Sequence, residues 1–311
     1  MHHVPASAHP LRLSRWLAPA ATLPRSAAAQ TISATPWWQW WNLLSLDAPS
    51  VAVVWAFLFA RCFGTPLPLA EAAVLFLTVW VIYVSDRLLD ARHAANLYLL
   101  QSRHRFSKRL TPQLLCLAGL AAAIALWLAT KFLSPREIRS GVCLSAAVLL
   151  YLLTIHGRRG TVLRAFPKEM MVGALFAAGT SLPVWAEHAE LRGAACLPIL
   201  LFALLCSLNC VAIECWETTL ADVPRLEVSQ WVRWASSRLN LLALALAALA
   251  CAALLANPLP SSPSLFLASA LGALLILFLN VSRYRYTLSA LRVLVDAALL
   301  FAGLLFLVRL L

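Results

Sequence analysis

The sequence predicts an all-α integral membrane protein, a multi-span helical bundle of about nine transmembrane helices, and three observations carry that prediction. Of the 311 residues, 62% are hydrophobic and only 12% charged, against about 25% charged in ordinary soluble domains. The mean hydropathy is +0.80. Long intervals carry no charge at all: between Arg109 and Lys131, between Arg192 and Glu214, and throughout Leu239 to Ser282. At a rise of about 1.5 Å per residue, each is long enough to cross a hydrocarbon core.

Residues 1–36 are rich in Ala, Pro, Ser and Arg, hold no acidic residue and lack the continuous apolar run of a secretory signal, so a disordered N-terminal tail is expected. A transit peptide is the alternative for this acid-free stretch, although its amphipathic pattern is poor. Residues 37–311 form the transmembrane domain. It opens with Trp37, Trp38, Trp40 and Trp41, a cluster that reads as an anchor at the membrane interface. Apolar windows place nine spans near residues 46–64, 67–89, 112–133, 138–156, 167–186, 194–218, 238–256, 262–281 and 289–309. The first is the weakest, because Asp47 and Arg61 bracket a short core, so a count of eight stays open. Between the seventh and eighth, the Pro- and Ser-rich run from Asn257 to Pro263 ends one helix and turns the chain into a hairpin.

A net charge of +12 would suggest nucleic acid in a soluble chain. Here the basic residues sit in the gaps between spans, and no Gly-rich phosphate loop is present, so no nucleic-acid partner is expected. With the N-terminus cytoplasmic, 19 of the 25 Lys and Arg fall in the tail and in the loops after spans two, four, six and eight. That bias predicts an N-in, multi-pass protein of the bacterial inner membrane by the positive-inside rule. The eight cysteines form no CxxC pair, and all of them lie in or at the edges of spans, where Cys packs as a small hydrophobe.

Ionisable groups in a span cost about 2.5–3.5 kcal/mol each on insertion scales, which makes them functional candidates. The end of span two reads Tyr83-Val84-Ser85-Asp86-Arg87-Leu88-Leu89-Asp90, and i, i+4 spacing puts Asp86 and Asp90 on one helix face with Tyr83. At the end of span six, which runs from Asn209 to Glu217, Glu214 and Glu217 align at i, i+3. Carboxylates one turn apart stay charged in a partly dry site only if cations neutralise them, and hard oxygen donors suit Mg²⁺. The ordinary reading is that these four acids are solvated helix ends, with Asp86 paired to Arg87 or to a loop Arg. Lys168, in Phe166-Pro167-Lys168-Glu169, stands where Pro opens the fifth helix, a setting suited to phosphate, although an ion pair with Glu169 serves it equally well. Arg158 and Arg159 in the preceding loop are further candidates for an anionic ligand. Asp296 is expected to pair with Arg292, one turn earlier. Gly173 and Gly179 are expected to let the fifth helix approach a neighbour.

These motifs resemble the UbiA superfamily of intramembrane prenyltransferases across roughly residues 40–310. That family's first motif has the pattern N-D-x-x-D-x-x-x-D, in which Asp86 and Asp90 take the last two Asp positions and Ile82 and Tyr83 occupy the first two. Glu214 and Glu217 match its second acidic motif, with Asn209 upstream and Asp222 downstream. The resemblance implies transfer of a prenyl group from a polyprenyl diphosphate to a lipophilic, commonly aromatic acceptor. Asp86, Asp90, Glu214 and Glu217 would be catalytic and would hold Mg²⁺, with Tyr83, Lys168, Asn209, Arg158 and Arg159 binding substrate. Two other readings stay open: a divalent-cation transporter, because acids on facing spans also mark ion pathways, and a relative that binds an isoprenoid or quinone without transferring it. Oligomeric state is not readable from these residues.

Overall fold

The computed structural model describes residues 36–93, 110–156, 167–220, 230–256 and 263–310. All the described helices lie in the unit Trp37–Leu311, and no strand occurs among the described residues. The helices are α1 (Trp37–Leu43), α2 (Asp47–Phe63), α3 (Leu69–His93), α4 (Thr111–Phe132), α5 (Pro135–His156), α6 (Lys168–Thr180) and α7 (Leu182–Glu187), followed by α8 (Arg192–Leu220), α9 (Gln230–Ser236), α10 (Leu239–Ala256), α11 (Pro263–Val281) and α12 (Leu288–Val308). Seven of them, α3, α4, α5, α8, α10, α11 and α12, are long and apolar enough to cross a membrane. An eighth span arises if α1 and α2, bent by 80° at Ser45, count as one broken element. This is a multi-pass membrane protein.

Among the described residues a ninth span does not qualify on length and apolarity, because the predicted fifth span is broken. Ser181, whose N–H and hydroxyl both bond the Ala177 carbonyl, and Pro183 in the first turn of α7 divide residues 168–187 into two short helices. The pair nonetheless follows α8 along its length. Lys168 meets Glu214 at one end, Gly173 lies against Ala203 and Ser207, and Arg192 Nε donates to the Trp185 carbonyl at the other. The 80° corner between α1 and α2 is held from α3, where Trp80 Nε1 donates to the Leu44 carbonyl and Arg87 donates to the Asn42 and Leu43 carbonyls.

Local signals explain several other boundaries. Helix α5 starts with a capping box: Ser134 Oγ accepts from the Glu137 N–H at 3.1 Å, and Glu137 Oε2 accepts from the Ser134 N–H at 2.8 Å. Thr287 caps α12 through the Ala290 N–H. The predicted hairpin is visible as α10 and α11 packed along one another, with its turn, residues 257–262, outside the described residues.

Helix α8 is the centre, packed against α6, α10, α11 and α12. Lipid tails are as apolar as Leu, so helices in a bilayer associate through close van der Waals fit rather than by leaving water. Trp55 of α2 stacks on Phe202 of α8 with ring centroids 4.1 Å apart, and Phe59 and Phe176 close around the same ring. Gly303 of α12 admits the Trp55 indole, whose Nε1 bonds the Leu299 carbonyl at 3.0 Å. By contrast, α4 and α5 present Leu117, Leu120, Leu126, Leu149 and Leu150 outward, as lipid-facing helices do.

The α6–α8 contact gives a direct test. A Cβ added at Gly173 would lie 2.5 Å from the Ala203 carbonyl oxygen, whereas one at Gly141 meets nothing within 4 Å. Gly173→Ala is expected to destabilise by about 1–3 kcal/mol, the range for overpacking, seen as a lowered Tm in detergent. Gly141→Ala should melt with the parent, and equal melting by both variants would remove the close approach from the account.

Candidate functional site

Among the described residues, those singled out in the sequence fall into small groups rather than a single metal centre. Tyr83, Asp86 and Asp90 share a face of α3, with Asp86 half-buried and Asp90 exposed. The Tyr83 ring meets Phe176 of α6 edge-on at 6.5 Å. Across from them, Lys168 opens α6 with Pro167 as its N-cap, as the sequence predicts, and its Nζ bonds Glu214 Oε2 of α8 at 3.1 Å. Tyr151 of α5, unremarked in the sequence, lies in the electrostatic field of the Asp86 and Asp90 carboxylates of α3 and of Glu169 on α6.

The structure gives Arg87, Arg292 and Lys168 partners on other helices. Arg87 lies 3.7 Å from Asp47, because that carboxylate is 4% exposed and the guanidinium, itself 8% exposed at the side chain, supplies its counter-charge. The loop Arg that is the other partner expected for Asp86 falls outside the described residues. Arg292 does not pair with Asp296 on its own helix: it pairs with Glu217 of α8 at 2.5 Å, with side chains 5% and 16% exposed. Asp296 instead accepts from Asn209 Nδ2 at 2.9 Å. Lys168 prefers Glu214 to its neighbour Glu169, which is buried and keeps Oε1 without a hydrogen-bond partner. For Arg87 and Arg292 a partner on another helix is buried with them, where the bundle interior offers no water to satisfy a group facing it.

Among the described residues, no three Asp, Glu, His or Cys side chains converge to hold a metal ion. Both α8 acids are engaged by cations. The α3 carboxylates are of the chemical type that Mg²⁺ takes, one or two at a time together with waters and substrate phosphates. Arg158, Arg159 and Asp222 lie outside the described residues. An apolar groove of about 350 Å³ between α1 and α12, lined by Trp37, Trp38, Trp40, Trp41 and Val293, belongs to the interface anchor and contains none of the predicted site residues.

A polar group around Asp47 was not read in the sequence. Asn42 Nδ2 donates to Asp47 Oδ2 at 2.5 Å, the Ala48 N–H donates to Oδ1 at 3.0 Å, and Arg87 of α3 lies alongside. Asn209 and Asp296, both singled out in the sequence, bond each other between α8 and α12. Arg87 stands far along the chain from Asp47, so no spacing rule connects them. The available signal was the presence of Asp47 at the edge of an apolar window. The family, curated-protein and solved-structure comparisons found no match to this chain.

Burial separates the two kinds of ion pair experimentally. Arg87→Ala strands a buried carboxylate and is expected to cost about 3–5 kcal/mol. Lys168→Ala breaks a pair whose side chains are 47% and 32% exposed, and is expected to cost at most about 1 kcal/mol. Thermal unfolding in detergent reads both, and a Lys168 variant that melts lower than the Arg87 variant would reverse the assignment.

Proposed function

We propose that the chain is an intramembrane prenyltransferase that takes a polyprenyl diphosphate and a lipophilic acceptor from the bilayer. One observation supports this reading: the Lys168–Glu214 pair stands at the N-terminus of α6, while Asp86 and Asp90 share one face of α3. A diphosphate between them would meet a cation and the free N–H groups of a helix start on one side. Asp86 and Asp90 would hold Mg²⁺ on the other, and the ion's chemistry there is to neutralise the diphosphate as a leaving group. Lys168 is the mobile part. It exchanges the Glu214 carboxylate for phosphate oxygens and stabilises charge that grows as the carbon–oxygen bond opens. The Tyr83 and Phe176 rings offer an apolar wall for the isoprenyl chain and keep water from an allylic cation. In this scheme Glu217 holds α8 to α12 through Arg292 instead of binding metal. On this reading the end that carries the Lys- and Arg-rich loops faces the cytoplasm, with the N-terminus, in a bacterial inner membrane.

A second reading, cation transport, is favoured by the buried Asp47–Arg87 pair and the Asn209–Asp296 pair, since ionisable side chains within spans mark ion pathways.

The deciding assay is pyrophosphate release from radiolabelled allylic diphosphates by the detergent-purified chain, with and without Mg²⁺. Metal-dependent release is expected, falling about 100-fold or more in Asp86→Ala, in the range for removing one group that stabilises transition-state charge. No release with any donor length or acceptor would shift the reading to binding or transport.

A further inference from the structure

Helix α1 is bent by 80° from α2. Where α2 crosses the bilayer, α1 therefore lies along its surface, and Trp37, Trp38, Trp40 and Trp41 stand at the depth where indole rings collect. Two clefts adjoin between α1 and α12. The first is the apolar groove of about 350 Å³, walled by the four indoles, Leu44, Leu46 and Val293. The second is a narrow crevice whose lining includes Gln39, Asn42, Ser289, Arg292 and again Val293. Gln39 Nε2 donates to Ser289 Oγ at 3.3 Å, which ties the α1 side of the crevice to the first turn of α12.

Across the single residue Val293 the lining changes from indole and leucine to amide, hydroxyl and guanidinium. An amphiphile has the same division built into it. The groove has the volume of a small ligand pocket, enough for a stretch of acyl chain and too little for a helix. The crevice, about 10 Å³, has room for one water-sized group, such as an oxygen of a phosphate or glycerol headgroup. Charge then selects among amphiphiles. Arg292 is engaged by Glu217. Arg285, in the turn Arg283–Arg285 that leads into α12, is exposed and has no ion pair among the described residues. It stands four residues before Ser289, within about 14 Å by chain length.

We propose that the α1–α12 cleft is a binding site for an anionic phospholipid, with one acyl chain in the Trp-lined groove, a headgroup oxygen at the Gln39–Ser289 crevice and Arg285 drawing the phosphate. The bound lipid fastens α1 to α12 on one side of the 80° corner, whose other side α3 holds through Trp80 and Arg87. The site stands whether or not the chain handles a diphosphate.

Photo-crosslinking of the full chain in phosphatidylcholine nanodiscs tests this. Two probes with identical acyl chains, each with a diazirine at the end of one chain, are doped in separately: phosphatidylglycerol and phosphatidylcholine. Mass spectrometry of the digest compares label in residues 37–46 and at Val293 with label on the exposed faces of α4 and α5, at Leu117 and Leu149. This ratio is expected to be about fivefold higher for phosphatidylglycerol, the preference that one arginine near the membrane surface supplies. Arg285→Ala should lower it to the phosphatidylcholine value, and Val293→Trp, which closes the shared wall, should remove groove label from both probes. Equal ratios for the two probes in wild-type protein reduce the groove to ordinary lipid contact and overturn the proposal, as does a preference that survives Arg285→Ala. A groove labelled by neither probe, in a chain that runs as a dimer, would assign it to a second copy and overturn the lipid. If Val293→Trp does not fold, the wild-type ratios and the exposed Arg285→Ala change decide.

Discussion

A charged side chain inside an apolar bundle has no water to satisfy it, and this constraint decides which helices of this protein meet. Asp47 is matched by Arg87, Glu217 by Arg292 and Asp296 by Asn209, and every one of these contacts joins different helices. Helix α8 takes part in two of them, and through Glu214 in the Lys168 pair as well. Buried pairs of this kind add little net stability, because desolvation offsets most of the attraction, but breaking one strands a charge at a cost of about 3–5 kcal/mol. Their effect is to exclude alternatives: a rotated α12 would leave both Arg292 and Asp296 facing hydrocarbon.

Close fit supplies the attraction that pairing does not. Lipid competes equally well for Leu, so helices gain by approaching until backbones touch, and small residues permit that. Gly173 places the α6 backbone against Ala203 and Ser207, and Gly303 receives the Trp55 ring. The first of these contacts fixes α6 five residues beyond Lys168. The antiparallel course of α6 and α7 along α8 then brings the Lys168 ammonium to Glu214, so the geometry of the candidate site follows from a packing decision one and a half turns away.

Segment boundaries were legible in the sequence because they depend on local chemistry. Span two was expected at 67–89 and is α3, Leu69–His93; span seven was expected at 238–256 and is α10, Leu239–Ala256. The fifth span was foreseen as one helix, and its break at Ser181 was not read, although Pro183 was available as a sign. Tertiary partners were less legible. Periodicity shows which residues share a helix face, and it proposed Arg292 for Asp296, while Arg87 was one of two partners offered for Asp86. It cannot show that a stronger partner comes from another helix, as Glu217 and Asp47 do. Tyr151 had no signal at all, since a Tyr within an apolar run looks like any interfacial aromatic.

The pairing of the α8 acids bears on how such a site could act. If Glu214 and Glu217 were both free, the end of α8 would repel a diphosphate as strongly as the α3 acids do, and only metal could admit it. With Glu217 engaged by Arg292 and Glu214 by Lys168, that side carries no net charge from these four groups. An entering phosphate has only to exchange one carboxylate for another anion at an ammonium whose pair is already partly exposed, a low-cost step. The Arg292–Glu217 pair, being buried, stays closed and holds α8 in place while this happens. The division follows burial: the exposed pair is free to change partners, and the buried one maintains the frame.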